Sequence, residues 1–123
     1  MGEKPHKRLE VWKKAIELTV LIYKITDSFP ELERFGLISQ MRRAVISIAS
    51  NIAEGAARQT KKEFAQFLHN AQGSLSELDT QNIIAKRLGY LSEDVFKKVE
   101  IELDSEDRML TGLIKSLRRN IKE

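Results

Sequence analysis

LISQMRRAVISIASNIA, residues 37–53, carries the clearest structural pattern in the chain. Its only charges are Arg42 and Arg43. Leu37, Met41, Ala44, Ile48 and Ile52 recur at intervals of three or four, the spacing of one face of an α-helix, whereas a half-buried strand alternates every second residue. The nearly uncharged part, Ala44 to Ala53, is too short for the roughly 20 residues of a membrane span and carries Ser47, Ser50 and Asn51. It reads as a buried helix.

Working outward, similar patterns appear on both sides. Upstream, a helix over about residues 9–26 has Trp12, Ile16, Thr19 and Tyr23 on one face and ends before Phe29-Pro30, where the proline disfavours helical geometry. The connector can hold one helical turn at Pro30-Glu31-Leu32-Glu33. The opening helix over 37–54 has Gly55 as a candidate stop. Thr60-Lys61-Lys62-Glu63 reads as a capping box at the start of a third helix over 61–88, which continues through Phe64, Phe67, Leu68, Ala71, Leu75, Leu78 and Ala85 to Gly89. Ser92, followed by Glu93 and Asp94, starts a fourth helix over 93–120. Val95, Val99, Leu103, Leu110, Leu113, Leu117 and Ile121 supply its seam, and its polar middle, Asp104 to Arg108, reads as a place to fray or kink. Four helices with short connectors predict an all-α, antiparallel up-down-up-down four-helix bundle, one domain spanning 1–123.

Composition agrees with this reading and excludes several functions. Of the 123 residues 41% are apolar and 32% charged, with six glycines and two prolines. The absence of cysteine excludes disulfides, thiolate catalysis and cysteine-based metal centres, and suits a cytoplasmic location. The basic start is followed by a segment carrying Glu10, Lys13, Lys14 and Glu17, so it does not read as a secretory leader. Of the two histidines, His6 belongs to a proline-broken Glu3-Lys4-Pro5-His6, and His69 has Gln66 three residues before it, so no bundle-type metal site is expected. No phosphate loop, zinc spacing or nucleophile elbow occurs. Glu54, Glu63 and Glu77 can face inward, but each has a plain role in capping or pairing. The expectation is a protein that binds rather than catalyses, with no cofactor.

Charge placement is more informative than the net charge of +3. An up-down-up-down bundle brings the start of the first helix, the turn between the second and third, and the end of the fourth to one end. Twelve of the 21 basic residues gather there: Lys4, Lys7, Arg8, Lys13, Lys14, Arg58, Lys61, Lys62, Lys115, Arg118, Arg119 and Lys122, against Glu3, Glu10, Glu54, Glu63 and Glu123. Such an end attracts the phosphates of RNA or DNA without reading sequence, the plain alternative being solvated surface charge. The opposite end holds Asp27, Glu31, Glu33, Glu93 and Asp94.

The first helix carries apolar residues over roughly 220° of its circumference and the second over roughly 200°, about twice what a bundle helix buries. Either the core is thick and some aliphatics stay exposed, or both helices bury a second face against another copy of the chain. Asn51, Glu54 and Arg58 share a helical face and predict a polar cluster, either bracing the helix junction or a subunit contact, or binding a ligand. Gly55 allows a turn or a close approach, and Gly73, in mid-helix beside Ser74, suggests close helix contact.

The order Val11-Trp12-Lys13-Lys14-Ala15, Phe29-Pro30, Phe35-Gly36-Leu37, Ser39-Gln40-Met41-Arg42-Arg43-Ala44, Ser50-Asn51-Ile52-Ala53-Glu54-Gly55, Arg58, Glu63-Phe64, Phe67-Leu68, Gly73-Ser74 and Glu77-Leu78 resembles the bacterial proteins encoded in intervening sequences of large-subunit ribosomal RNA genes, also labelled S23 ribosomal proteins. The resemblance spans nearly the whole chain and is weakest after Leu91. It implies an antiparallel four-helix bundle assembled as a homopentamer, with no established activity. The family is similar to the accessory protein of diversity-generating retroelements, a basic pentamer that binds a reverse transcriptase and nucleic acid, which implies partners of those kinds. Departures are small: Ala57 stands where glycine is frequent, and Ile48-Ala49 where proline is.

Overall fold

The computed structural model describes residues 4–120; expectations for Glu3, Ile121, Lys122 and Glu123 lie outside them. Four helices, α1 (Glu10–Thr26), α2 (Leu37–Ala56), α3 (Lys61–Arg87) and α4 (Glu93–Arg119), form an antiparallel bundle, with 3-10 turns at Pro5–Arg8 and Glu31–Glu33 and no strand among the described residues.

Local chemistry sets the helix ends. Thr60 Oγ accepts the Glu63 amide at 3.1 Å. The reciprocal arm differs from a capping box, because the Glu63 carboxylate takes the Thr60 hydroxyl at 3.2 Å. Ser92 Oγ accepts the Val95 amide at 3.2 Å. At the end of α3, Gly89 takes φ 84°, which glycine adopts without steric cost. Its amide reaches Lys86 and the Tyr90 amide reaches Ala85, both at 3.0 Å, satisfying two open carbonyls in a Schellman turn. The first turn of α2 borrows its cap: Gly36 has no side chain, and the Glu33 carboxylate accepts the Leu37 amide at 3.0 Å. The same carboxylate accepts the Tyr90 hydroxyl at 2.9 Å, tying the α1–α2 connector to the α3–α4 turn.

The antiparallel order is visible in cross-helix pairs. Arg42 donates to Thr26 and Tyr23 from α2 to α1, and Ser47 and Ser74 join α2 to α3 at 2.8 Å. Gln72 donates to Asp107 and Thr111, and Asn82 to the Phe96 carbonyl, joining α3 to α4. The core is built from Val11, Ala15, Leu18 and Ile22 of α1, Met41, Val45, Ile48 and Ile52 of α2, Leu68, Leu75 and Leu78 of α3, and Val99, Leu103 and Leu110 of α4.

The Trp12-Ile16-Thr19-Tyr23 face of α1 lies at the outside, and the face through Val11, Ala15, Leu18 and Ile22 is buried. Three expectations need correction. Gly55 does not stop α2; the helix runs through it to Ala56, and Gly55 is buried, where an added Cβ would lie 2.8 Å from Phe67 Cβ and 2.9 Å from Phe64 Cδ1. Of the pair Gly73-Ser74 only Ser74 makes a close helix contact, to Ser47 of α2 at 2.8 Å, whereas an added Cβ at Gly73 meets nothing within 4 Å. The polar middle of α4 does not fray: the helix is continuous from Glu93 to Arg119.

Candidate nucleic-acid interface

One end of the bundle receives the start of α1, the end of α2, the start of α3 and the end of α4. The short α2–α3 turn brings Arg58, Lys61 and Lys62 there. The side chains of α3 and α4 meet across that end, where Arg118 Nη2 lies 2.8 Å from His69 Nε2. Lys115 and Arg119 sit on the last turns of α4. The Pro5–Arg8 turn, flanked by Lys4, places His6 beside Trp12, Ser50 and Ala53, against the final turns of α2. Among the described residues, no carboxylate lies within ion-pair distance of Lys4, Lys7, Arg8, Lys61, Lys62, Lys115, Arg118 or Arg119.

Three of the expected members differ. Lys13 pairs with Glu10 at 3.4 Å on the exposed face of α1. Lys14 is turned sideways, half-buried against Glu102 in the N-terminal half of α4, and leaves the basic end. Arg58 stacks on the Phe67 ring at 4.6 Å, with Glu54 4.0 Å away, and so braces the α2–α3 junction. The expected Asn51–Glu54–Arg58 cluster is split: Asn51 donates to the carbonyl and hydroxyl of Ser47, one turn back. Ser74 completes that small polar group through its bond to Ser47. Lys122 lies outside the described residues.

At the opposite end Glu31, Glu33 and Glu93 are engaged by the fold itself. Glu31 pairs with Arg34, Glu33 accepts Leu37 and Tyr90, and Glu93 pairs with Lys86 and Lys97. The Lys86 bond holds the Glu93 carboxyl below its ordinary range, and the Glu33 carboxylate raises the Tyr90 phenol. The two ends thus differ in free charge.

The outer apolar face of α1 and α2 is open. Trp12, Ile16, Thr19, Ile46, Ala49 and Ala53 line a groove of about 330 Å³, and Ile46 continues it toward Tyr23, Ile38 and Phe35. Ile16, Val20, Tyr23 and Ile46 are exposed, and the Phe35 side chain is 90% exposed.

Sequence reasoning missed one unusual residue. Glu106, in the middle of α4, is fully buried, and neither carboxylate oxygen has a hydrogen-bond partner among the described residues. Burial pushes its carboxyl up to about 8, against an opposing pull from Lys14. The signal was present: Val99, Leu103, Glu106 and Leu110 follow the four-three-four spacing of a seam. Glu54, Glu63 and Glu77, considered as inward-facing acids, are all exposed. No group of three or more His, Cys or acidic side chains able to hold a metal ion occurs among the described residues, and no described helix is long and apolar enough to cross a membrane.

A solved structure from Bacteroides thetaiotaomicron, described as a protein with unknown function from the S23 ribosomal protein family, is similar with a TM-score of 0.77 and 24% identity. The match covers 85% of this chain and 98% of that one, and at this identity it shows the shared fold. No curated protein matches the sequence. The family model described as 23S rRNA-intervening sequence protein matches residues 7–112, from the first 3-10 turn to the last third of α4, and the chain belongs to that family.

Proposed function

We propose that this protein is a non-enzymatic, self-associating bundle that binds RNA or DNA through the phosphate backbone at its basic end. The observation that carries the reading is the contrast in free charge: cations from the 3-10 turn, the first turn of α3 and the end of α4 lack carboxylate partners among the described residues, whereas Glu31, Glu33 and Glu93 at the other end are engaged within the fold. Binding of this kind is driven by counterion release and carries no base readout. A site engaging about six phosphates loses roughly 10³-fold in affinity between 50 and 200 mM salt. Reversal of Lys115, Arg118 and Arg119 to Glu abolishes the binding in a mobility-shift or fluorescence titration. Salt-independent binding, or binding unchanged in that variant, overturns the reading.

The open α1–α2 face supports self-association, for which the family resemblance implies a pentamer. Ile46→Glu places a charge in the middle of that face and lowers the mass measured by light scattering. A monomer mass for the unaltered protein at micromolar concentration removes the oligomer from the proposal. The same groove favours a second reading, a scaffold that holds another protein and no nucleic acid. Retention of a protein partner after nuclease treatment, with no shift of labelled RNA, selects it.

A further inference from the structure

Within the basic end, α3 and α4 enclose a recess of about 350 Å³ lined by Lys62, Ala65, Gln66, His69 and Arg118. Lys62, Ala65, Gln66 and His69 follow the spacing i, i+3, i+4, i+7, so α3 alone forms one wall, and Arg118 forms the other from α4. No carboxylate lines it.

The Arg118–His69 contact defines the chemistry. A guanidinium has only N–H donors, so in the 2.8 Å contact it is Arg118 that donates and His69 Nε2 that accepts. This is an undemanding use of an arginine: a single bond to an uncharged nitrogen, with the remaining donors of the fork unpartnered among the described residues. A tetrahedral oxyanion uses the same groups more fully. Two of its oxygens accept the guanidinium fork, and Lys62 supplies a second positive charge. Once Arg118 turns to the anion, the His69 ring is released and can present an N–H donor to the same oxyanion.

We propose that this recess is a phosphate-binding site in which Arg118, His69 and Lys62 hold one phosphoryl group. The inference deepens the nucleic-acid reading and rests on it for the source of the phosphate, either a strand of RNA or DNA or a free phosphate ester.

The test follows the His69 ring by NMR in the full chain during three titrations: single-stranded RNA, inorganic phosphate, and sulfate, which does not itself titrate near neutrality. Phosphate and sulfate are expected to shift the His69 ring nitrogens. Arg118→Gln weakens sulfate binding about 10-fold or more, the size expected for a charged hydrogen bond. His69→Gln also weakens sulfate binding, and an affinity unchanged in both variants overturns the site. A His69 shift with RNA as well places a strand phosphate in the recess. Phosphate binding without RNA binding keeps the recess and overturns the nucleic-acid reading. RNA binding with His69 unmoved by any of the three ligands overturns the recess and leaves that reading standing, and silence in all three titrations overturns both.

Discussion

The α2–α3 seam and the α1–α4 seam are both antiparallel pairs of the same bundle, yet they are built on opposite principles. Between α2 and α3 small residues let the backbones approach. Gly55 lies so near Phe64 and Phe67 that a methyl group does not fit without a shift, Ser47 bonds Ser74 at 2.8 Å, and Arg58 covers the Phe67 ring. Between α1 and α4 the backbones approach far less closely. Glu17, Leu18, Leu21, Lys98 and Glu102 line a recess of about 230 Å³ there, Lys14 bridges to Glu102, and Glu106 stands behind them unpartnered. Small side chains make one seam permanent. Long charged ones leave the other loose, and local opening starts where packed apolar contact is thinnest.

The largest effect is expected in the tight seam. Ile52→Ala empties a fully buried position on α2 and lowers stability by about 2–5 kcal/mol in urea unfolding. A loss below about 1 kcal/mol there breaks the comparison, because it means the seam relaxes around a cavity.

Glu106→Leu sharpens the other side. Removing a buried ionisable group in favour of an apolar one of similar size stabilises by about 1–4 kcal/mol. The sign of its pH dependence follows from the raised carboxyl. Below the unfolded value near 4.5 both states hold the proton; between that value and about 8 the unfolded chain has released it and the native state has not. The native protein therefore loses stability as pH rises across this window and levels off above it. Unfolding midpoints of Glu106→Leu lack that decline, and parallel curves for both proteins exclude Glu106 as its source.

Smaller changes separate the glycines. Gly55→Ala overpacks the α2–α3 seam and costs about 1–3 kcal/mol, read as a lower unfolding midpoint. Gly73→Ala, on the exposed side of α3, raises stability by about 1 kcal/mol, because the new methyl meets open space and the helix gains a better former. Opposite outcomes from the same substitution at two helical glycines are the clearest check that close approach, rather than helix propensity, distinguishes the positions. Least of all, Glu102→Gln shifts stability by under about 1 kcal/mol, since the partly exposed pair with Lys14 is screened by solvent.

Much of this architecture was legible in the chain. The stripe Leu37, Met41, Ala44, Ile48 and Ile52 is the buried face of α2, and Thr60, Gly89 and Ser92 set helix ends through bonds reaching no more than a few residues. The candidate site was legible only as charges assigned to an end. That Lys14 leaves it for Glu102, 88 residues away, that Arg58 covers Phe67, and that His69 joins Arg118 are pairings between distant segments, to which periodicity is blind. The two apolar stripes of α1 show the same limit, since both have helical spacing and nothing local says which one faces inward.

Helix, turn and cap are decided among residues within about one turn of each other, so the order of amino acids alone determined four rods, their approximate ends and the direction each takes. Only the tertiary structure decided which stripe of α1 is covered, which glycine is pressed against a ring, which lysine stays at the end of the bundle and which acid is left in the dark. Those outcomes depend on the relative register and rotation of whole helices, and that is settled by many weak contacts acting together rather than by any one stretch of the chain.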